Sequence, residues 1–203
     1  MKVVVWSLKG GVGKTTLSLN LALHYRCGVI TNEVYTMIDK ILPVGKFLRL
    51  SKHQDLPDMN NINKNASVIF DMGGYIDNRV LSACEQAEKI IIPTSTEKLD
   101  IQGCISTIKE LKDFSDKIVI VINKVEDKKI YNFIKTFFLD KVGKYQIFGI
   151  QKSAIFKNIV DEKRSIHQIM SEGGLKSHSL KKGLWAQWNE IISFLDKKSN
   201  NTI

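Results

Sequence analysis

The 203-residue sequence contains no run approaching the ~18 consecutive apolar residues that a membrane-spanning helix needs. Nothing in it reads as a transmembrane segment. Cysteine is scarce: Cys27, Cys84 and Cys104 stand far apart and form no Cys-x-x-Cys pair. That pattern argues against a disulfide framework and against a zinc or iron–sulfur site, and leaves buried free thiols. Zinc-finger spacing and the aromatic signature of ribonucleoprotein domains are also missing, and no helix-turn-helix precedes the first glycine-rich stretch. A sequence-reading head for nucleic acid is thereby excluded. Acid falls short of base, with 21 Asp and Glu against 30 Lys and Arg, for a net charge of +9. The excess is spread over the chain: residues 150–203 hold nine basic against five acidic side chains. Any contact with DNA is therefore expected through phosphates, insensitive to sequence and sensitive to salt. A hydrophobic content of 43% suits a soluble globular protein, and the length predicts one domain over residues 1–203 with a single sizeable core. Met1-Lys2 runs directly into an apolar stretch with no room for a signal peptide, which predicts a cytoplasmic protein.

What the sequence does have is Lys9-Gly10-Gly11-Val12-Gly13-Lys14-Thr15-Thr16. Ahead of it, Val3-Val4-Val5-Trp6 reads as a buried parallel strand. Behind it, Leu17, Leu21 and His24 share one helical face, with Leu19 and Leu23 beside them, and no Pro or Gly intervenes before Gly28. Strand, glycine loop and helix in that order make a phosphate-binding loop. The N–H groups of Gly10, Gly11, Val12, Gly13, Thr15 and Thr16 and the helix N-terminus converge on one anion. The glycines permit turns and close approaches that a Cβ blocks. Lys14 neutralises β- and γ-phosphate charge, and the Thr15 hydroxyl is placed to ligate Mg²⁺.

One position departs from the general pattern: Leu8 stands where a first glycine is expected, and next to it is Lys9, a second lysine five residues before Lys14. This arrangement resembles the deviant phosphate loop of the ParA/MinD family of ATPases. The resemblance implies ATP as the nucleotide, with Mg²⁺, and a homodimer formed on ATP binding, in which Lys9 reaches the partner's phosphates.

Further along, Cys27 to Thr31 reads as a second strand running into Asn32 and Glu33. The resemblance places Glu33 where the family has the aspartate that orients the attacking water. Glu33 equally suits the cap of a helix expected over residues 34–42. Residues 43–65 lose all period and read as a short amphipathic piece followed by a surface loop. Val68-Ile69-Phe70-Asp71-Met72-Gly73-Gly74 ends a strand in a carboxylate 57 residues after Lys14, suited to holding Mg²⁺ through water. The Asp71 to Gly74 spacing suits a loop that responds to the γ-phosphate.

A helix over 77–87, a strand over 89–93, a helix over 99–114 interrupted by Gly103, and a strand over 117–123 follow. The exit Asn123-Lys124 has Glu126 where a guanine reader needs Asp, and the resemblance puts Asn123 beside adenine, favouring ATP over GTP. A helix over 130–139 and a sixth strand over 145–150 lead to residues 151–156, which resemble the family's segment past the adenine. The lysines and arginines beyond, Lys157, Lys163, Arg164, Lys176, Lys181 and Lys182, belong to the region that the resemblance assigns to DNA.

In the last predicted helix, over 184–195, Leu184, Trp185, Trp188, Ile191, Ile192 and Leu195 form one apolar face. An interfacial membrane helix carries a basic opposite face, whereas this one shows Gln187, Asn189, Glu190 and Ser193, so packing on the sheet is expected and membrane attachment is not.

Six strands alternating with helices predict an α/β fold: a doubly wound, mostly parallel sheet with helices on both faces. The resemblance implies an ATPase, slow alone and stimulated by a ParB-like or other partner protein. Acting on the nucleoid, it binds DNA non-specifically as a dimer and partitions or positions it. A MinD-like membrane-positioning ATPase and a nucleotide-dependent scaffold without turnover are the other readings.

Overall fold

The computed structural model describes residues 1–63, 66–172 and 175–197. In chain order the elements are β1 (Lys2–Val5), α1 (Lys14–Tyr25), β2 (Gly28–Thr31), α2 (Ile38–Ile41), β3 (Phe47–Arg49), α3 (Met59–Asn63), β4 (Val68–Asp71), α4 (Asn78–Gln86) and β5 (Lys89–Thr94). Then come α5 (Lys98–Glu110), a 3₁₀ turn (Lys112–Lys117), β6 (Ile118–Val125), α6 (Lys128–Val142), β7 (Gln146–Gln151), α7 (Ile155–Glu162), α8 (Ile166–Glu172) and α9 (Leu175–Asp196). The strands form one sheet in the order β3-β2-β4-β1-β5-β6-β7, and every pair is parallel. β1 lies centrally, with β4 on one side and β5 on the other, so the loop after β1 emerges between two neighbours whose carboxyl ends point the same way. That edge is where doubly wound sheets bind ligands.

Both faces of the sheet are buried, which is why its strands read as continuous β-branched runs. Val3, Val5, Ile69, Ile91, Val119 and Val121 point into one core with Leu17 and Leu21 of α1 and Leu184 and Trp188 of α9. Val4, Phe70, Ile90, Ile92, Ile120 and Ile122 point into the other with Val80 of α4, Cys104 and Ile108 of α5 and Phe138 of α6. Cys27, Cys84 and Cys104 are buried free thiols, and burial raises all three pKa values, that of Cys27 to about 11 and that of Cys84 to about 12.

Four expectations need correction. The sheet has seven strands among the described residues, because β3 forms within the stretch expected to be a short amphipathic piece. β3 is a three-residue edge strand paired only with β2, and its Leu48 and Arg49 are exposed, so it carries no alternation for a reader to find. The helix expected over 34–42 shrinks to Ile38–Ile41, where only Ile38 and Ile41 are buried, while Val34, Tyr35 and Met37 are exposed. Its first turn is met by the Thr36 hydroxyl, which accepts the Ile38 N–H at 3.3 Å, so Glu33 caps no helix. Finally, α5 runs unbroken through Gly103 and stops at Glu110. The asparagine-rich stretch expected to be a loop contributes α3, and residues 64 and 65 lie outside the described ones.

α9 packs as its apolar face predicts: Leu184, Trp188, Ile191, Ile192 and Leu195 are buried in the core, with Trp185 partly buried against it. No helix among the described residues is long and apolar enough to cross a membrane. Truncating Trp188, whose side chain is fully enclosed, to Ala is expected to lower the unfolding free energy by about 3–5 kcal/mol. Urea denaturation checks this; a loss below ~1 kcal/mol contradicts core packing of α9.

Candidate functional site

The loop after β1 turns into α1 through glycines in the left-handed region, Gly11 at φ +78° and Gly13 at φ +98°. Gly13 is the N-cap of α1, no side chain caps that end, and no acid lies in the first turn. The helix N-terminus is therefore left with its donors and its positive dipole end available to an anion. The end of β6 holds the outer side of the same loop. The Asn123 amide donates to the Val12 carbonyl at 3.2 Å, and the Lys124 ammonium donates to the Gly11 carbonyl at 2.9 Å. In a trans peptide the carbonyl and the following N–H point in opposite directions. Pinning these two carbonyls toward β6 therefore turns the Val12 and Gly13 N–H groups the other way. Asn123 lies so close to Gly13 that a Cβ there would overlap its amide. The glycine is required by contact as well as by φ.

Lys14, only 8% exposed, donates to the Lys9 carbonyl at 3.2 Å. Burial lowers its pKa, and the Glu33 and Asp71 carboxylates pull it back up. Asp71, at the end of β4, is fully buried. Its two carboxylate oxygens accept hydroxyl protons from Thr15 at 3.0 Å and Ser18 at 2.7 Å, and its backbone carbonyl accepts from Thr31 at 2.6 Å. Burial pushes its pKa up from 3.8 to about 6, with the Ser18 and Thr15 hydroxyls and Lys14 pulling the other way.

Glu33 follows Thr31, whose hydroxyl accepts the Glu33 N–H at 3.1 Å. A Cβ on Gly73 would come within 3.3 Å of the Glu33 carboxyl carbon, and one on Gly74 within 3.6 Å of the Lys14 ammonium. Lys9, Lys14, Thr15, Glu33 and Asp71 are thus gathered at one end of the sheet, and the loop spanning Gly73 and Gly74 lies against them.

Asn123 stands on the other side of the loop, in a cavity of about 290 Å³ shared with Gly11, Gly13, Thr16, Lys124, Lys152, Ser153 and Phe156. Glu126 lines a separate cavity with Tyr131 and Glu190, and its carboxylate accepts at 2.6 Å from Lys152, which lines the Asn123 cavity. On the Thr15 side an open cleft of about 750 Å³ is lined by residues 34–37, Lys40 and Arg49.

Several contributors were not legible in sequence. Ser18 is one helical turn after Thr15, and that i, i+3 spacing was the available signal. Lys124, held at φ +57°, carried none. Asn32 is 2% exposed; its amide oxygen accepts the Gly73 N–H at 2.7 Å and its backbone carbonyl accepts the Tyr75 hydroxyl at 3.0 Å. Of the basic residues expected to meet DNA, Lys163 is exposed and Arg164 is paired with Glu162. The side chains of Lys157, Lys176, Lys181 and Lys182 lie outside the described ones.

No protein-family model and no curated protein matches the sequence. Solved structures do. MinD of Pyrococcus horikoshii, solved with Mg-ADP, superposes with a TM-score of 0.61 at 14% identity, covering 84% of this chain and 89% of that one. A variant of Cyanothece McdA in complex with ATP gives 0.59 at 12% identity, over 83% of this chain and 90% of that one. A Borrelia burgdorferi protein described as a plasmid partition protein, bound to AMPPNP, gives 0.53 at 13% identity, over 93% and 98%.

The folded protein holds the Asp71 proton more tightly than the unfolded chain does. The contribution of Asp71 to stability is therefore fullest below about pH 4 and is lost as pH rises through about 6. In nucleotide-free protein, the stability of wild type relative to Asp71→Asn is expected to fall by roughly 2 kcal/mol between pH 4 and pH 7. Parallel urea-midpoint curves for the two proteins contradict this.

The fold shared with MinD, McdA and the plasmid partition protein is an all-parallel sheet with the glycine loop at its carboxyl edge.

Proposed function

We propose that residues 1–203 form one ParA/MinD-type ATPase domain that dimerises on ATP, binds DNA without sequence preference, and positions or partitions it. The observation that carries this reading is the pair of lysines on one glycine loop: Lys14 is buried beside Asp71 and Glu33, and Lys9 stands five residues earlier with its carbonyl taken by Lys14. The ATP, Mg-ADP and AMPPNP of the similar structures support a nucleotide at this loop.

In this reading the N–H groups from Gly10 to Thr16 bind phosphate oxygens, and Lys14 neutralises their charge. Thr15 and Asp71 are hard oxygen donors already 3.0 Å apart, a set that fits Mg²⁺, with the hydroxyl as direct ligand and the carboxylate acting through water. ATP supplies the phosphoanhydride whose hydrolysis resets the protein. Glu33 orients or deprotonates the attacking water, at a longer reach than an Asp would have. Lys9 belongs to the partner's nucleotide. The Asn123 cavity takes the base. Adenine is favoured over guanine because the carboxylate at 126 is tied to Lys152 and faces another cavity.

The net charge of +9 supplies phosphate contacts, and dimerisation doubles them, which steepens both affinity and salt dependence. A ParB-like or other partner protein stimulates hydrolysis, and the protein works in the cytoplasm on the nucleoid. The apolar face of α9 is buried in the core, so no observation favours the membrane-positioning alternative.

The test is binding to non-specific duplex DNA across a salt series with ATP, ADP or no nucleotide. Wild type is expected to bind only with ATP and to lose affinity steeply with salt, and Lys9→Ala to lose ATP-dependent binding. Equal, weak binding in every nucleotide state overturns DNA positioning. In a phosphate-release assay, Glu33→Gln is expected to slow turnover by about 100-fold or more while nucleotide affinity is retained. Unchanged turnover removes Glu33 from the water-orienting role.

A further inference from the structure

α5 touches the phosphate loop at two places that the nucleotide reading does not use. A Cβ on Gly103 would stand 3.0 Å from the Lys9 Cβ, 3.5 Å from its Cγ and 3.8 Å from its Cδ. The Lys9 stem therefore lies along α5 at the one residue of the helix that has no side chain to displace it. One turn later, the buried Thr107 hydroxyl donates to the Gly103 carbonyl at 2.7 Å and accepts the Leu8 N–H at 3.1 Å. The Lys9 N–H is itself taken by the Ser7 hydroxyl at 3.3 Å, and its carbonyl by Lys14. Both backbone groups and the first three side-chain carbons of Lys9 are thus constrained before any partner arrives.

A glycine inside a helix costs stability relative to alanine. Its presence in α5 calls for a close approach, and Lys9 is that approach. A lysine carries the largest rotamer entropy of the common side chains, and a stem already laid against a rigid helix loses less of it when the ammonium engages a ligand.

We infer that Gly103 and Thr107 are positioning residues for Lys9: α5 serves as the rail along which the Lys9 side chain is aimed. This rests on the proposed role of Lys9 across a nucleotide-bound dimer, and the rail itself is testable without that role.

The first arm uses nucleotide-free protein and an amine-acylating reagent, with modification of Lys9 followed by peptide mass spectrometry. Gly103→Val is expected to expose Lys9 and raise its labelling rate several-fold relative to Lys98 and Lys109 of the same helix, with Gly103→Ala intermediate. An unchanged Lys9 rate in both variants overturns the rail, whatever the function of the protein.

The second arm measures ATP-dependent dimerisation and turnover. Gly103→Val is expected to reduce both by about tenfold or more, the scale of a misplaced group, while ATP affinity changes little. In a Lys9→Ala background the same substitution is expected to add no further loss. Thr107→Val follows Gly103→Val, and Thr107→Ser, which keeps the hydroxyl, restores wild-type behaviour. Equal losses with and without Lys9 mean that Gly103 acts on the fold and not through Lys9. A wild type that neither dimerises nor turns over ATP refutes the proposed function and leaves the labelling arm to decide the rail.

Discussion

Asp71 carries its carboxylate where water does not reach, and an unsolvated carboxylate needs donors. It finds them on two other elements: Thr15 and Ser18 on α1 hold its oxygens, and Thr31 at the end of β2 holds its backbone carbonyl. The beginning of α1 and the ends of β2 and β4 are thereby fixed to one another. The register of the sheet makes this possible, because Thr31 pairs with Asp71 and Val5 pairs with Asp71 on the other side. Three strand ends therefore terminate level, and the loops leaving them meet at one place. Burial pulls the Asp71 pKa up while the Ser18 and Thr15 hydroxyls and Lys14 pull it down, so the site compensates the negative charge only in part. A group that brings positive charge to Asp71 relieves it, which is the electrostatic setting a divalent cation fits.

The glycine loop is held from its other side by a different means. Its carbonyls are the groups that would repel an anion, and they are turned toward β6 by Asn123 and Lys124. Lys124 does this from a left-handed conformation at a register shift in β6, where the strand stops following β7 evenly. Irregular backbone at the carboxyl edge of a strand aims a side chain that a regular strand would point elsewhere. The orientation of the loop's N–H groups is therefore a property of two strands, β1 and β6, that are not adjacent in the sheet.

The central strands and the loop were legible in sequence because burial on both faces demands unbroken β-branched runs, and because Gly13 and Lys14 sit in a fixed strand-to-helix context. β3 was not, because three edge residues, of which Leu48 and Arg49 are exposed, leave no period. The segment after Glu33 misled for a related reason. Val34, Tyr35, Met37 and Ile38 look apolar enough for a helix face, but only Ile38 is buried, and the others border the cleft beside Thr15. At the site, residues defined by charge or by glycine stand out in the sequence, whereas Ser18, Thr31, Asn32 and Thr107 act through hydrogen bonds whose partners are 40 to 99 residues away. Pairing at that distance leaves no local spacing to read. Gly103 marks the boundary case: the sequence shows a glycine where a helix does not want one, and only the packing of Lys9 gives the reason.

Gly73 shows how the two loops flanking Asp71 are joined. Its N–H goes to the Asn32 side chain and its carbonyl accepts the Trp6 indole N–H at 2.7 Å, so the peptide groups on either side of it are gripped by β2's exit and by the residue after β1. Tyr75 returns to the Asn32 carbonyl at 3.0 Å. A loop tied this way does not slide by degrees. Displacing Gly73 breaks buried hydrogen bonds worth about 1 kcal/mol each, with a further cost for whichever partner stays unpaired. Asn32 is followed directly by Glu33, and Gly73 directly by Gly74, where a Cβ would stand 3.3 Å from the Leu8 carbonyl oxygen and 3.6 Å from the Lys14 ammonium. The Gly74 backbone is therefore linked to the Glu33 backbone through Gly73, its hydrogen bond to the Asn32 side chain, and Asn32 itself. Asn32 is almost fully buried, so a Gly73 N–H that leaves it strands a polar group away from water, and that cost holds the two loops together.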